Sequence, residues 1–240
     1  MVSLAVGVLL FVAGVAAGFV NTVAGAGSLL TVPALLFAGL PAGEANATNR
    51  VAVLVQSLAG GGGFARQGRL DVAMARRVAV PVVVGGAGGA VVATVLSDDV
   101  LLVVLLVVMV GVGAGLVRDS PAVEPVSSGV RAGRSGVVGW VLLAAAGFYG
   151  GLVQTGVGIV LLAVFAGVLG LDLVGSNALK MVVTGMFTVV SLAVFVVAGL
   201  VEWAPGLVMA AGSAAGALLG VRVAVDQGQA HHWPTRPALR

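Results

Sequence analysis

Two basic residues, Arg50 and Lys180, stand inside long apolar stretches of this sequence. Lys180 is the only lysine in the chain and follows Asn177 near the start of a predicted helix, while Arg50 directly follows Asn49. An ionisable residue within an apolar segment is rare enough to be a candidate for a functional site, and a buried cation is suited to binding an anion. The alternative is that such a base extends to the lipid headgroups, which we expect more for Arg50 than for Lys180.

Two polar, glycine-rich stretches interrupt the apolar sequence. The first, GFVNTVAGAGSLLTVPALLFAGLP, covers residues 18–41, and the second, QTGVG, covers residues 154–158. Backbone groups at membrane depth must be hydrogen-bonded, so an irregular turn there is expected only where it is buried in protein or lines a wet cavity. A helix that starts at such a turn presents free N–H groups, which attract an anion. For any single glycine, close helix packing is the simpler explanation.

The residues that we expect to bind substrate lie at these breaks or beside the embedded bases. They are Asn21, Thr22, Gly25, Gly27, Ser28, Asn49, Gln154, Thr155, Gly156, Gly158, Asn177 and Lys180. An enzyme in the membrane would need a nucleophile, an acid or a metal cluster at depth, but the chain has no cysteine and its two histidines are adjacent in a polar tail. We therefore predict no catalytic residue, no metal site and no cofactor. The net charge of +3 is small and gives no support to a nucleic-acid partner.

The composition indicates that these residues lie in a membrane protein. Hydrophobic residues make up 60% of the chain, charged residues make up 9%, and the mean hydropathy is +1.17. Uncharged runs of roughly 20 residues, the length of a membrane-spanning helix, recur without the alternation of β-barrel strands. We predict an all-α integral membrane protein with about seven to nine membrane segments, two of them glycine-broken or re-entrant hairpins.

The sequence also contains an internal repeat. One constant shift aligns Gly25 with Gly156 and Asn46 with Asn177, and it holds over most of each half. This pattern predicts a duplicated helical bundle. The second half has no counterpart of the apolar run at 100–117, so we expect it to lack its last helix. The predicted parts are a first membrane repeat (1–118), a cytoplasmic linker (119–136), a shortened second repeat (137–225) and a polar, disordered tail (226–240).

The charged residues predict an orientation. The arginines cluster at 65–77, at 118–136 and after residue 221, whereas most other connections carry only acidic residues. Short loops rich in arginine stay in the cytoplasm, so these three regions are predicted to be cytoplasmic, with the N-terminus and Asp98-Asp99 outside. This placement requires the two repeats to be inverted relative to each other. Inverted repeats commonly enclose a transporter's binding site between broken helices near the middle of the bilayer, so we expect the two glycine-rich stretches to meet at the centre of the bundle.

Paired motifs in the two halves closely resemble those of the sulfite exporter TauE/SafE family. They are GFVNTVAGAGSLLTVPALLFAGLPAGEANATNR and QGRLD in the first half, and GFYGGLVQTGVGIVLLAVFAGVLGLDLVGSNALK and AGLVEW in the second. The resemblance, which covers residues 10 to about 225, implies a prokaryotic cytoplasmic-membrane permease for small sulfur-containing anions such as sulfite or sulfonates. Family members often carry Asp where this chain has Asn21, and some carry Asp at the position of Gly150.

The sequence leaves a second function open. Packing glycines alone would suffice for a structural or accessory membrane subunit that transports nothing, or for an inactive, truncated member of the family. The partners predicted for a transporter are a small anion and the lipid bilayer, and a homo-oligomer is compatible with the same sequence.

The predicted orientation can be tested with single cysteines, because the chain has none of its own. Ser97→Cys, beside Asp98, is expected to react with an impermeant thiol reagent from outside the cell. Ser127→Cys, in the arginine-containing linker, is expected to react only in inverted membrane vesicles. Reaction of both cysteines on intact cells would contradict the orientation.

Overall fold

The protein is all-helical over the part of the chain that the computed structural model describes, which is residues 3–118, 137–167 and 169–230. The helices are α1 (Leu4–Ala24), α2 (Ser28–Phe37), α3 (Ala42–Arg66), α4 (Val72–Val95), α5 (Asp98–Arg118), α6 (Val137–Leu152), α7 (Val157–Gly167), α8 (Leu173–Val197) and α9 (Trp203–Ala230). Among the described residues, α1, α4, α5, α8 and α9 are long and apolar enough to cross a membrane. The prediction of a helical membrane protein is therefore confirmed.

The bounds of α8 and α9 show where two polar segments lie. α8 begins at Leu173, so Lys180 is buried in its third turn, inside the helix as predicted. α9 continues to Ala230, past the boundary expected at residue 225, since no proline interrupts it in that region. The predicted linker at 119–136 and the tail residues 231–240 lie outside the described residues.

The two glycine-rich stretches do break the helices. α1 ends at Gly25, whose φ of 81° lies in the left-handed region that glycine adopts without strain. The second stretch contains Gly156 at φ 74°. The helices that follow the breaks, α2 with 10 residues and α7 with 11, are too short to span a bilayer.

The helix ends meet at two opposite faces of the bundle. At one, a cavity of about 450 Å³ lies among the starts of α1, α3 and α9 and the end of α2, with Ser3, Glu44 and Glu202 in its wall. We call this end the Ser3 face. At the other, Leu70 packs with the end of α3 and the start of α8 through Phe64 and Val174, and we call this end the Leu70 face. α3 therefore runs from the Ser3 face to the Leu70 face, and α8 runs in the opposite direction.

Charged residues are segregated between these two faces. The start of α5 belongs to the Ser3 face, because the backbone N–H of Gly43 donates to the Asp98 carboxylate at 2.7 Å. Arg76 and Arg77 line a cavity at the starts of α4 and α6, near the Leu70 face. The arginine loop at 65–77 and Asp98 thus lie at opposite ends of the bundle, as their charges predict.

Two parallel helix pairs pack backbone against backbone. In the pair α1 and α9, a Cβ added to Gly18 would overlap the carbonyl oxygen of Ser213. In the pair α4 and α6, a Cβ added to Gly147 would overlap the carbonyl oxygen of Val82. Further glycines do the same in both pairs: Gly14, Gly212 and Gly216 in the first, and Gly85, Gly89 and Gly151 in the second. These glycines are there because no side chain fits between the helices.

α3 and α8 cross at the centre of the bundle. Ser57 lies against Gly185, Gly60 lies against Met181 and Gly61 lies against Val182, so small residues of α3 face α8 along the crossing. α3 carries Asn, Arg and Gln residues that are buried against other helices rather than exposed. Its polar side chains can therefore lie at membrane depth without facing lipid.

Substitution of Gly18 tests the packing of α1 on α9. Gly18→Ala is expected to destabilise the purified protein by about 1–3 kcal/mol, because the added methyl group meets backbone that cannot move aside. The matched control is Gly111→Ala in α5, where an added Cβ meets nothing within 4 Å. Thermal unfolding in detergent should show a lower midpoint for Gly18→Ala alone, and equal midpoints for the two variants would contradict the packing.

Candidate substrate site

The two helix breaks contact each other. Gly25, at the end of α1, lies against Gly158, in the first turn of α7, so closely that a Cβ on either glycine would overlap the backbone of the other. The prediction that the two broken stretches meet is confirmed by this contact. The polar residues beside the breaks, Asn21, Thr22, Ser28, Gln154 and Thr155, are all buried.

Lys180 is buried at the end of α1. Its ammonium group donates to the backbone oxygen of Asn21 and to Oδ1 of Asn177, each at 2.6 Å. The same Asn21 oxygen accepts the N–H of Gly25 at 3.0 Å, and Nδ2 of Asn177 approaches the carbonyl of Val23 at 3.4 Å. The positive charge therefore lies at the carbonyl end of a helix, where the helix dipole favours a cation.

Arg50 is buried at the end of α6. Its guanidinium group donates to the carbonyls of Gly150 and Gly151, the latter at 2.7 Å, and to Oε1 of Gln154. Asn46, one turn earlier on α3, donates to the carbonyl of Leu152 at 2.8 Å. The expectation that Arg50 extends to the headgroups is wrong, because three acceptors inside the protein take its N–H groups.

Arg50 and Lys180 have matching surroundings, with the two halves of the chain exchanged. A cation and an asparagine on α8 bind the end of α1, and a cation and an asparagine on α3 bind the end of α6. Within the described residues, all hydrogen-bond acceptors of Arg50 and Lys180 are neutral. The helix ends supply about half a negative charge each, so a net positive charge remains in the interior.

Some hydrogen-bonding capacity stays free around the breaks. An ammonium group has three donors, of which Lys180 uses two on described residues. No side chain caps the start of α2 at Gly27 and Ser28, which leaves N–H groups in a buried turn. Asn49 is fully buried, and neither atom of its amide has a described partner.

Other predicted site residues already take part in hydrogen bonds with nearby protein groups. The Thr22 hydroxyl donates to the carbonyl of Gly18 at 2.8 Å, and Tyr149 donates to the carbonyl of Thr155. Gln154 adopts a φ of 64°, which is uncommon for a residue other than glycine, and Arg50 holds its side chain. These groups shape the breaks more than they offer donors to a ligand.

Sequence reasoning missed Asn46 as a site residue and gave Arg50 a lesser role. The signal was present in the repeat, which aligns Asn46 with Asn177. Arg50 is four residues after Asn46 and Lys180 three residues after Asn177, and both spacings put amide and cation on one helix face. The sequence alone does not show which helix end each pair of amide and cation binds.

Loss of Arg50 is expected to destabilise the protein strongly. Arg50→Met leaves the carbonyls of Gly150 and Gly151 buried without a donor, and each such group costs about 1–3 kcal/mol. Arg66→Met, at the exposed end of the same helix, is the matched control and should change little. Thermal unfolding of both variants in detergent measures the difference in stability. Equal stability of Arg50→Met and Arg66→Met would contradict the buried position of Arg50.

Comparison with known proteins identifies the family of this chain. The sequence profile described as Sulfite exporter TauE/SafE matches residues 10–232. The probable membrane transporter protein YfcA of Escherichia coli is 30% identical over 94% of this chain and 83% of its own length. A probable membrane transporter protein of Haemophilus influenzae is 26% identical over 92% of this chain and 86% of its own length.

A third relative, the probable membrane transporter protein ORF9 of Sinorhizobium, is 30% identical over 91% of this chain and 83% of its own length. No solved structure matches the chain significantly. The profile covers nearly the whole chain, and the relatives named here are membrane transporters rather than enzymes. The chain belongs to the sulfite exporter TauE/SafE family of multi-pass membrane transporters.

Proposed function

We propose that this protein moves small sulfur-containing anions, such as sulfite or sulfonates, across the cytoplasmic membrane of a prokaryote by secondary transport. The observation that carries the proposal is a pair of fully buried cations, Arg50 and Lys180, whose described acceptors are all neutral. Burial of an uncompensated charge is unfavourable, and an anion that enters from water relieves it. The family description supports the substrate class, and the bacterial origin of the relatives supports the location.

Lys180 is the charged member of the proposed binding site. Lys180 has one ammonium N–H without a described partner, and the Nε–H of Arg50 is likewise free, but Lys180 is the cation that contacts the break before α2. The uncapped N–H groups at the start of α2 and the hydroxyl of Ser28 add neutral donors close to the same break. A sulfite or sulfonate group carries three oxygen acceptors, so a cation together with backbone and hydroxyl donors suits it.

We also propose that the bundle consists of inverted repeats. The positive-φ glycines recur at one constant shift: Gly25, Gly39 and Gly68 in the first half and Gly156, Gly170 and Gly199 in the second. α3 and α8 both have 25 residues and run in opposite directions. This symmetry supports a substrate position between the two breaks, near the middle of the bilayer.

Transport by reconstituted vesicles tests the proposal. Labelled sulfite and a labelled sulfonate should enter or leave vesicles that contain the protein, and a pH gradient across the membrane shows whether protons are coupled. If neither anion moves or binds, a structural or accessory role is favoured. Empty vesicles provide the control for leakage.

Removal of the Lys180 charge should abolish most transport. Lys180→Met keeps the side-chain volume but removes the ammonium group, and Lys180→Gln retains a polar end without charge. Lys180→Arg should restore only part of the activity, because a planar guanidinium differs in shape from a compact ammonium. Each variant is compared at equal amounts of folded protein by uptake of the labelled anion. Wild-type uptake by Lys180→Gln would exclude the lysine charge from anion binding.

A further inference from the structure

The helices group into two bodies that do not coincide with the two halves of the sequence. α1 packs on α9, and α3 joins the same body because the hydroxyl of Thr48 accepts the N–H of Glu202 at 2.9 Å and Gly206 of α9 lies against Val51. The second body contains α4 and α6, and α8 joins them because Ser191 donates to the carbonyl of Gly86 at 3.2 Å. The short helices α2 and α7 follow α1 and α6. Each body therefore takes its fourth helix from the other half of the chain.

Two polar clusters connect the bodies. One contains Asn46 and Arg50 on α3, bound to the end of α6, and we call it the Asn46 clasp. The other contains Asn177 and Lys180 on α8, bound to the end of α1, and we call it the Asn177 clasp. Within the described residues, all hydrogen bonds that join one body to the other belong to these two clasps or to Gln154 beside the first.

The clasps lie on opposite sides of the middle of the bundle. Arg50 is in the third turn of α3, which starts at the Ser3 face. Lys180 is in the third turn of α8, which starts at the Leu70 face. At 1.5 Å per residue each cation is about 10–12 Å from the start of its helix, and the helices run in opposite directions. One clasp is therefore nearer each face.

The surface between the clasps is suited to sliding or rocking. Where α3 crosses α8, the side chains of Met181 and Val182 lie against Gly60 and Gly61, and Gly185 lies against Ser57. The hydroxyl of Ser57 is buried there without a described partner, and so is the hydroxyl of Thr188, which follows Gly185 by three residues on α8. One partner at each of these points is a glycine, and the Met181 side chain is unbranched and adaptable, so the crossing resists a change of angle less than a contact between two large, branched side chains does.

We propose that the two clasps are the gates of the transporter. Opening of the Asn46 clasp exposes the interface between the two bodies to the Ser3 face. Opening of the Asn177 clasp exposes the same interface to the Leu70 face. Both clasps are closed in this structure. Asn46 and Asn177 are positioning residues, since each fixes a cation against a helix end of the opposite body. The inference rests on the proposed transport function, but it does not depend on which anion is carried.

Accessibility of a buried cysteine distinguishes a gate from a merely structural contact. Ser57→Cys replaces a buried hydroxyl between the clasps, and the chain has no other cysteine. In vesicles of known orientation, an impermeant thiol reagent is added from one side at a time. When Asn46→Ala is combined with Ser57→Cys, the rate at which the cysteine is labelled from the Ser3 face is expected to rise about three- to tenfold. This is the effect of one lost hydrogen bond on an opening equilibrium. Labelling from the Leu70 face should not rise.

Asn177→Ala is the matched variant, with the same change at the aligned position of the other half. It should raise labelling from the Leu70 face and not from the Ser3 face, and Thr188→Cys should report the same directions as Ser57→Cys. A general loosening of the protein would instead raise labelling from both faces in both variants. That outcome, or no change in either variant, would contradict the proposal that the clasps are gates.

The labelling result is separable from the proposed substrate, because no anion is present in the experiment. Opposite, face-specific effects together with no movement of sulfite or sulfonate would support the gates and reject the substrate class. Anion transport without face-specific labelling would support the transporter and reject the gates. Labelling of Ser57→Cys after denaturation gives the total number of cysteines and corrects for differences in yield.

Discussion

The structure depends first on one constraint, which is that a helix that ends inside the bundle leaves carbonyl groups that water cannot reach. α1 and α6 both end at such buried breaks. Each end is satisfied by an amide and a cation from a helix of the opposite half, Asn177 with Lys180 and Asn46 with Arg50. The two breaks are thus held by groups that also make the interior positive.

Close packing of glycines is the second requirement. Backbone contact at Gly18 and Gly147 draws α1 onto α9 and α6 onto α4, which fixes where the two breaks meet. With these pairs in place, Gly25 and Gly158 touch, and α3 and α8 cross between them. The glycines therefore place the helices, while the polar residues of α3 and α8 hydrogen-bond the helix ends that the glycines bring together.

The sequence predicted the membrane-spanning helices, both breaks and their contact, because apolar length and glycine-rich turns are local signals. It placed Arg50 wrongly, since a base near a helix start is equally compatible with the headgroups and with a row of carbonyls on another helix. Asn46 escaped notice for the same reason. Its partner, Leu152, is distant in sequence, and pairing between helices is not a local property. The roles of Lys180 and the other site residues in binding remain predictions.

The exchange of fourth helices between the bodies has a consequence for how the chain is made. α1 enters the membrane first, but the helix against which its glycines pack, α9, follows all the other described helices. During synthesis the glycine face of α1 must stay near lipid or a chaperone until α9 arrives. Neither half of the chain can complete a body alone, so the two halves must fold together.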